Sequence, residues 1–253
     1  MCPRFVCLII ATSTTASFSA DATAQCARWE RGPLTVPDPS SNGQVLAMVS
    51  WDPDGSGPNE PLLVIGGTFT QVGGVAANRI AAFNGFHWSR LATGFNDTVR
   101  ALGVYNGQLI AGGDFTTGGT GGLTMNHIAR FNGATWSALG LGTSGGSPAG
   151  RVSALAEFNG DLIVGGTFAN AGGFVTSCIA RWNGSIWGTV GGTGMALPLN
   201  TPRVECLTVF EGQLFAGGLF SSVNGIAASN IARWNGSTWS KLGFSGFSGD
   251  GAD

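Results

Sequence analysis

The chain has 253 residues, of which 43 are glycine, while only 10% are charged and the formal net charge is −2. A hydrophobic fraction of 43%, with 16 Phe and 8 Trp, excludes a disordered chain, because disordered chains lack the apolar surface that offsets the loss of conformational entropy. The charged residues form no basic run, which argues against nucleic-acid binding and gives no polybasic segment for a membrane surface. The composition instead fits many short strands joined by glycine turns.

Residues 1–24 have the composition of a signal peptide. Arg4 precedes an apolar core at 5–11, and small residues up to Ala24 offer a cleavage site before Gln25. The apolar run is too short to cross a bilayer, so no transmembrane segment is predicted. A buried N-terminal strand is the alternative. The signal peptide predicts a secreted, cell-surface or periplasmic protein after cleavage near Ala24.

The mature chain would keep three cysteines, Cys26, Cys178 and Cys206. An odd number permits at most one internal disulfide, and the sequence contains no C-x-x-C pair that would indicate a redox or zinc site. Cysteines buried as small hydrophobic residues are the other interpretation. The sequence leaves the pairing among the three open.

A unit of about 50 residues recurs four times, beginning at residue 45. Its first motif is a pair of apolar segments that ends in Gly-Gly-x-Phe, at Phe69, Phe115, Phe168 and Phe220. Its second motif, I-A-x-[FW]-N-G-x-x-W, ends 48 to 52 residues apart at Trp88, Trp136, Trp187 and Trp239. These motifs place the repeats at about 45–91, 99–139, 152–190 and 204–242, within one domain of residues 25–253.

Each repeat predicts four short strands in an antiparallel meander. The segments 99–105 and 108–113 are separated by Asn106-Gly107, which favours a type I′ turn because that turn needs positive φ at both central residues. A second tight hairpin of the same kind is predicted through Asn132-Gly133. One such sheet cannot bury both apolar faces, so we expect the sheets to stack as blades of a β-propeller. The Gly-Gly pair that ends each second strand predicts a close backbone approach.

These motifs resemble a known repeat. The Gly-Gly that ends the second strand, the aromatic residue of the third and the Trp of the fourth resemble the kelch repeat of β-propellers. The fuller pattern is similar to repeats of secreted bacterial proteins, notably planctomycete ones, and of a family of fungal cell-surface markers. The resemblance covers roughly residues 45–242. It implies an all-β propeller fold and no defined activity. The chain departs from kelch in the spacing of five from Phe or Trp to Trp, and in having Phe or Trp where kelch usually has Tyr.

The number of blades has two open interpretations. Four complete units fit a compact four-bladed ring. Residues 246–253, however, resemble the lead-in to a first strand at 94–99, which fits the front part of a larger ring. Residues 27–29 (Ala-Arg-Trp) match residues 232–234 and are a candidate strand for closing a ring with the last blade.

The first repeat replaces the two-residue turn with a long tip from Trp51 to Glu60. Asp52, Asp54 and Ser56 alternate there as oxygen ligands do in calcium loops. The tip lacks the distal bidentate Glu of an EF-hand, and Asp, Pro and Gly are also typical of an ordinary extended turn. Calcium bound by these three residues is the single cofactor hypothesis, with the ordinary turn as its alternative.

Arginine occupies one position in three of the four repeats, at Arg130, Arg181 and Arg233, where the first repeat has Ala82. Equivalent positions of a propeller form a ring, so these residues predict a cationic band for an anionic ligand. The alternative is a structural arginine that packs on a neighbouring Trp or pairs with a backbone carbonyl.

The sequence shows no catalytic constellation. His87 and His127 lie at non-equivalent points of their repeats, and the acidic residues are scattered singly. This pattern favours a secreted, non-catalytic and monomeric scaffold that binds a protein or a polysaccharide. The alternatives are a carbohydrate-active enzyme whose acids converge on the ring face, and a structural envelope or adhesion protein.

Overall fold

A computed structural model describes residues 40–242 apart from residues 56, 148, 149 and 199. The predicted signal peptide, Cys26, residues 27–29 and residues 243–253 lie outside the described residues. Every regular element in the described part of the chain is a β-strand, and no helix there is long and apolar enough to cross a membrane. The all-β prediction is confirmed.

Each repeat contributes six or seven strands. The first repeat contains β1 (Val45–Trp51), β2 (Leu62–Gly67), β3 (Gln71–Val72), β4 (Val75–Ala76), β5 (Ile80–Phe83) and β6 (Trp88–Arg90). The second contains β7 (Val99–Tyr105), β8 (Gln108–Gly113), β9 (Thr117–Gly118), β10 (Leu123–Thr124), β11 (Ile128–Phe131) and β12 (Trp136–Ala138). The third contains β13 (Thr143–Ser144), β14 (Arg151–Phe158), β15 (Asp161–Thr167), β16 (Asn170–Ala171), β17 (Phe174–Val175), β18 (Ile179–Trp182) and β19 (Trp187–Gly188). The fourth contains β20 (Met195–Ala196), β21 (Arg203–Phe210), β22 (Gln213–Leu219), β23 (Ser222–Val223), β24 (Ile226–Ala227), β25 (Ile231–Trp234) and β26 (Trp239–Lys241).

The long strands of each repeat form one four-stranded antiparallel meander, as predicted. The orders are β1-β2-β5-β6 in sheet 1, β7-β8-β11-β12 in sheet 2, β14-β15-β18-β19 in sheet 3 and β21-β22-β25-β26 in sheet 4. In each sheet these are the first to fourth strands. A side hairpin of two-residue strands lies between the second and third strands of every sheet, and the sequence analysis does not predict it. Strands β13 and β20, which lead into repeats 3 and 4, pair with the side hairpins of those repeats.

The turn between the first and second strands is the predicted type I′ turn. Asn106 and Gly107 have φ values of 49° and 72°, and Tyr105 pairs directly with Gln108. The equivalent turns of sheets 3 and 4 also have two central residues with positive φ. Asn-Gly suits this position because both residues tolerate the left-handed region.

The turn between the third and fourth strands is different. Phe131 pairs with Trp136, so four residues form the loop, and Asn132 is not among the residues with positive φ. Its side-chain Oδ1 accepts hydrogen bonds from the backbone N–H groups of Ala134 and Thr135, at 3.0 and 2.8 Å. The type I′ prediction is wrong for this hairpin, because a side-chain acceptor closes the loop.

The Gly-Gly pairs allow two close backbone approaches. A Cβ on Gly165, the first glycine of its pair, would lie 2.6 Å from Cγ1 of Val204 in the next sheet. A Cβ on Gly166 would lie 2.0 Å from the carbonyl oxygen of Arg151, at a β-bulge between the first two strands of the same sheet. The predicted close packing is confirmed, and each glycine of the pair has its own reason.

Successive sheets stack face to face through their first strands. Strand β1 packs on β7, β7 on β14, and β14 on β21. The face of a sheet that contacts the preceding sheet is its front face, and the face that contacts the following sheet is its back face. No packing of this extent joins β1 to β21 within the described residues. The observed fold is therefore a series of four stacked sheets.

The tryptophan of the fourth strand fixes each of the three interfaces between sheets. Its indole N–H donates to a backbone carbonyl of the preceding repeat, from Trp136 to Leu91 (3.1 Å), from Trp187 to Leu139 (2.9 Å) and from Trp239 to Val190 (2.7 Å). These indoles are buried, so the donor would have no water partner without the carbonyl. This hydrogen bond accounts for the closing Trp of the second, third and fourth repeats.

Candidate functional site

At the end of the sheets that carries the type I′ turns, some neighbouring sheets are in close contact and others leave a cleft between them. The last residue of the first strand differs there, being Trp51, Tyr105 or Phe158 in the three interfaces. The Trp51 indole N–H donates to the Gly107 carbonyl of sheet 2, and the Tyr105 hydroxyl donates to the Gly160 carbonyl of sheet 3, both at 2.9 Å. Phe158 has no donor, so this bridge is missing between sheets 3 and 4.

A large cleft lies where the bridge is missing. The space beside Tyr105, here called the 2–3 cleft, has a volume of about 40 Å³. The space beside Phe158, here called the 3–4 cleft, has a volume of about 460 Å³. Ligand pockets range roughly from 300 to 1,000 Å³. The 3–4 cleft is therefore large enough for a small ligand, and the 2–3 cleft is not.

Polar side chains line the 3–4 cleft above buried aromatic rings. Both sheets contribute to it, with the polar residues Asn159, Asp161, Arg181, Thr189 and Ser237 and the aromatic residues Phe158 and Trp234. Ile163 of β15 pairs directly with Arg181 of β18, so their side chains lie on the same face of sheet 3. Asp161 lies two residues before Ile163 on β15, so its side chain lies on that face too, which is the back face.

One ion pair provides the charge of the 3–4 cleft. Arg181 Nη1 donates to Asp161 Oδ2 at 2.9 Å, with the two side chains 52% and 20% exposed. An ion pair this exposed contributes little to stability, because water already solvates both partners. A ligand can therefore replace this ion pair at a small cost in free energy. Its hydroxyl groups would then bind the Asp161 carboxylate, and its anionic groups would bind the Arg181 guanidinium.

The three arginines predicted as a ligand ring lie on the back faces of three different sheets. Arg130 lines the 2–3 cleft and donates from Nε to Ser137 Oγ at 3.2 Å. Arg181 lines the 3–4 cleft, and Arg233 of sheet 4 donates from Nε to Ser240 Oγ at 2.9 Å. The structure thus places Arg130 and Arg181 in separate clefts. A ligand common to all three arginines stays a prediction.

The long tip of sheet 1 contains Asp52 and Asp54, whereas Ser56 lies outside the described residues. Asp54 Oδ2 accepts hydrogen bonds from the backbone N–H and the side-chain amide of Asn59, at 3.2 and 2.6 Å, and Asp52 Oδ1 accepts one from the Asp54 N–H at 3.2 Å. These are the bonds of an Asp-closed turn. No group of three or more His, Cys, Asp or Glu in the described part of the chain could hold a metal ion. Calcium at the tip stays a prediction.

His127 lies at the repeat position that precedes the third strand. Its φ is 72°, and Arg79, Cys178 and Asn230 have the same left-handed conformation at the equivalent position. Burial lowers the pKa of His127 below its ordinary value, although the nearby charge of Asp114 opposes the shift. The other histidine, His87, follows the third strand of sheet 1, whereas His127 precedes the third strand of sheet 2, so the two lie at opposite ends of equivalent strands.

The two described cysteines are not bonded to each other. Cys178 is buried, and its Sγ lies 3.0 Å from the Pro202 carbonyl oxygen. Burial raises the pKa of its thiol to about 11, so it behaves as a small hydrophobic residue. Cys206 lies on β21 and is exposed.

An ion cluster between sheets 2 and 3 was not predicted from the sequence. The carboxylate of Asp114 accepts hydrogen bonds from Arg100 Nε at 2.8 Å and from Arg151 Nε at 2.7 Å. Asp114 replaces the threonine of the first and third repeats, Thr68 and Thr167, and that substitution is the signal that could have revealed it. The cluster joins β7, the end of β8 and the start of β14.

The chain matches no protein-family model and no curated protein. Among solved structures it is similar to the crystal structure of the computationally designed Ika4 protein, with 12% sequence identity and a TM-score of 0.44. The similarity covers 81% of this chain and 98% of that chain. A likeness of this size carries no information about ligand or activity.

Proposed function

We propose that the chain is a secreted, non-catalytic β-propeller module that binds a glycan in the 3–4 cleft. The observation that carries the proposal is the convergence of Asp161, Arg181 and Asn159 in a cleft of about 460 Å³ next to Phe158 and Trp234. Sugar hydroxyls are bound well by carboxylate, guanidinium and amide groups, which make paired and charge-assisted hydrogen bonds. The apolar C–H faces of sugars pack on aromatic rings.

The other parts of the proposal rest on the architecture and on the leader sequence. Stacked four-stranded meanders that meet through their first strands are the arrangement of propeller blades around an axis, which supports a propeller. The signal peptide predicted at residues 1–24 supports secretion or display at the cell surface. A rigid scaffold with a variable cleft at one end is a common basis for binding.

Arg181→Gln tests the site with a matched control. The full chain is screened against an array of bacterial and plant cell-wall oligosaccharides, and the dissociation constant of the best glycan is measured. We expect Arg181→Gln to raise that constant roughly 10- to 100-fold, because a hydrogen bond to a charged group contributes about 1.5–3 kcal/mol. Arg130→Gln, the same change in the 2–3 cleft, should leave binding unchanged. Equal losses in both variants, or an array without a bound glycan, would contradict the proposal.

Phe158→Tyr tests the same cleft by its shape. Tyr105 of sheet 2 donates its hydroxyl to the Gly160 carbonyl of sheet 3. Gly212 is the equivalent residue of sheet 4, so the hydroxyl added at position 158 should donate to the Gly212 carbonyl in the same way. We expect the new bridge to narrow the cleft, so that glycan binding is lost while the melting temperature is kept or raised. Unchanged glycan binding in this variant would place the ligand elsewhere.

A carbohydrate-active enzyme is the competing function for the same cleft. Glycoside hydrolysis uses two carboxyl groups roughly 5–10 Å apart. Asp161 is the single carboxylate among the described residues that line the 3–4 cleft. Incubation of the full chain with the bound glycan, followed by chromatography, separates the two functions. Shorter products that disappear in Asp161→Asn would replace binding with hydrolysis.

A further inference from the structure

The front face of sheet 1 carries the residues that the other three sheets bury on their front faces. Val45 is 40% exposed, whereas its equivalents are fully buried, namely Val99, Val152 and Val204. Leu63 is 41% exposed, whereas its equivalents are at most 1% exposed, namely Leu109, Leu162 and Leu214. Trp88 is only half-buried, while the other three closing tryptophans are buried. Met48, at 65% exposed, extends the same face.

On the back face of sheet 4, residues are exposed that the other three sheets bury on their back faces. Phe210 is 61% exposed, whereas its equivalents are buried, namely Trp51, Tyr105 and Phe158. Phe215 and Ile231 are half-buried, although the residues at their positions on the back faces of sheets 1–3 are buried. The apolar residues that make the internal interfaces are therefore present at both ends of the stack. Several of them are exposed or half-buried there, although Ile65 and Ala81 on the front face of sheet 1 are buried.

The internal interfaces show how such faces fit together. In all three internal interfaces the first glycine of the Gly-Gly pair lies against a valine of the next sheet. At two of them a leucine is also close, as Gly165 lies against Val204 and Leu207. At the ends of the stack, Gly217 holds the glycine position on the back face, and Val45 and Met48 hold the valine and leucine positions on the front face.

The tryptophan hydrogen bond has matching end positions too. In each internal interface, the acceptor carbonyl belongs to the residue three positions after the preceding closing tryptophan. Leu242 holds this position in the last repeat, and Trp88 holds the donor position in the first. Each end face thus carries one complete half of the interface that the chain already makes three times.

We propose that the back face of sheet 4 binds the front face of sheet 1 in a second copy of the chain, head to tail. The contact continues the internal interface, with Gly217 facing Val45 and Met48, Leu242 accepting from Trp88, and Phe210 covered by the second copy. A head-to-tail contact is heterologous, so two copies close into a ring if the rotation allows it, and otherwise form longer assemblies. This assembly differs from the monomer that the sequence analysis predicts.

Charge substitutions on the two faces test the contact. The mass of the full chain is measured by light scattering and sedimentation over a range of concentrations. We expect the wild type to form dimers or longer assemblies. Met48→Glu and Phe210→Glu should each stay monomeric up to a protein concentration at least about tenfold higher than the wild type does. The reason is that each variant would bury a charge in an apolar contact. Ile186→Glu is the matched control, since Ile186 is 64% exposed on a loop of sheet 3 outside both end faces. It should assemble as the wild type does.

Mixing the two variants distinguishes a head-to-tail contact from the pairing of like faces. Met48→Glu keeps an intact back face and Phe210→Glu keeps an intact front face, so the mixture should form a one-to-one complex although each variant alone is monomeric. A contact between two front faces would be abolished by Met48→Glu and left intact by Phe210→Glu. That result, or a wild-type chain that is monomeric at every concentration, overturns the proposal.

A disulfide test provides an independent check, because it does not require Met48→Glu or Phe210→Glu to fold. Cys206 Sγ lies 2.7 Å from the position of a Cβ on Gly217, the glycine that should face Val45 of the second copy. Mild oxidation of Val45→Cys should therefore link positions 45 and 206 of different copies, which peptide mapping by mass spectrometry identifies. If oxidation gives no 45–206 link, the two faces do not meet.

Discussion

At the scale of single residues, one side chain at the end of each first strand decides how closely two sheets meet. Tyr105 and Phe158 occupy the same position and differ by one hydroxyl, yet the first has an acceptor in the next sheet and the second borders the large cleft. Aligning the repeats shows the missing oxygen at Phe158. The sequence could not show that the hydroxyl acts as a bridge, because its acceptor, Gly160, becomes a neighbour only when the sheets stack.

Tyr105 allows a test by pH, because it is the single tyrosine of the chain. Burial, together with the charges of Asp161 and Glu157, raises the pKa of Tyr105 above its ordinary value. The folded protein then keeps a proton that the unfolded chain loses near pH about 10. Stability from this group is present below that pH and decreases as the pH rises through the folded-state value.

Tyrosinate absorbance, which reports this side chain alone, should therefore give a higher midpoint in the folded chain than in urea. The melting temperature should decrease more steeply at alkaline pH in the wild type than in Tyr105→Phe. A folded-state midpoint equal to or below the midpoint in urea would show that the hydroxyl is not buried in the 2–3 interface.

The first glycine of the Gly-Gly pair provides a second test at this scale. Gly165→Ala places a methyl group 2.6 Å from Val204 Cγ1, so sheet 4 has to shift, and we expect a loss of about 1–3 kcal/mol in the free energy of unfolding. Gly217→Ala makes the same change in sheet 4, where the methyl group first meets the Sγ of Cys206, the end of a side chain that can rotate. Its loss should be smaller.

Urea unfolding of both glycine variants in the Met48→Glu background measures the difference without a contribution from association. Equal losses in the two variants would mean that the strain lies within each sheet and not between sheets.

At the scale of elements, the same dipeptide closes two kinds of hairpin. Asn106 uses its tolerance of positive φ, whereas Asn132 uses its side-chain oxygen as an acceptor. Asn-Gly alone does not separate the two cases. The difference comes from the pairing register, since Tyr105 pairs with Gln108 across two residues and Phe131 pairs with Trp136 across four. The sequence predicts both hairpins but only one of the two turns.

The side hairpins were missed although the sequence contains a signal for them. Gly73-Gly74 and Asn224-Gly225 have positive φ values and connect strands of two residues each. Such dipeptides between apolar residues indicate a hairpin. Strands this short show no alternation of apolar and polar residues, so the period-2 pattern that identifies the main strands is absent from them.

At the scale of the whole molecule, the repeat predicts stacking but not the path of the stack. Apolar residues on both faces of each meander require a neighbour on each side, and the three internal interfaces follow from that requirement. Whether the sheets return to the starting point depends on the rotation between neighbours, which arises from side-chain packing along the whole interface. For this reason the motifs predict four similar sheets and leave the number of blades in a ring open.

The number of neighbours should decide how readily each sheet opens. Within the described residues, sheets 2 and 3 pack on two other sheets each, whereas sheets 1 and 4 pack on one each. In repeat proteins, stability is approximately the sum of the terms for each repeat and for each interface, so the terminal sheets should exchange their amide hydrogens faster. The second glycine of each pair gives four matched reporters, because its N–H donates to the residue before the third strand at 2.9–3.0 Å in every sheet.

In dilute Met48→Glu, we expect lower protection factors for Gly67 and Gly218 than for Gly113 and Gly166, measured by hydrogen exchange with NMR detection. The hydrogen bonds of all four glycines have nearly the same length, so a difference reports the opening of sheets and not the strength of one bond. In concentrated wild-type protein, head-to-tail contact covers both terminal sheets, so the gap between the two pairs of glycines should narrow. Equal protection at all four glycines in the dilute variant would mean that the four sheets open as one cooperative unit, and that no sheet is weakened by having a single neighbour.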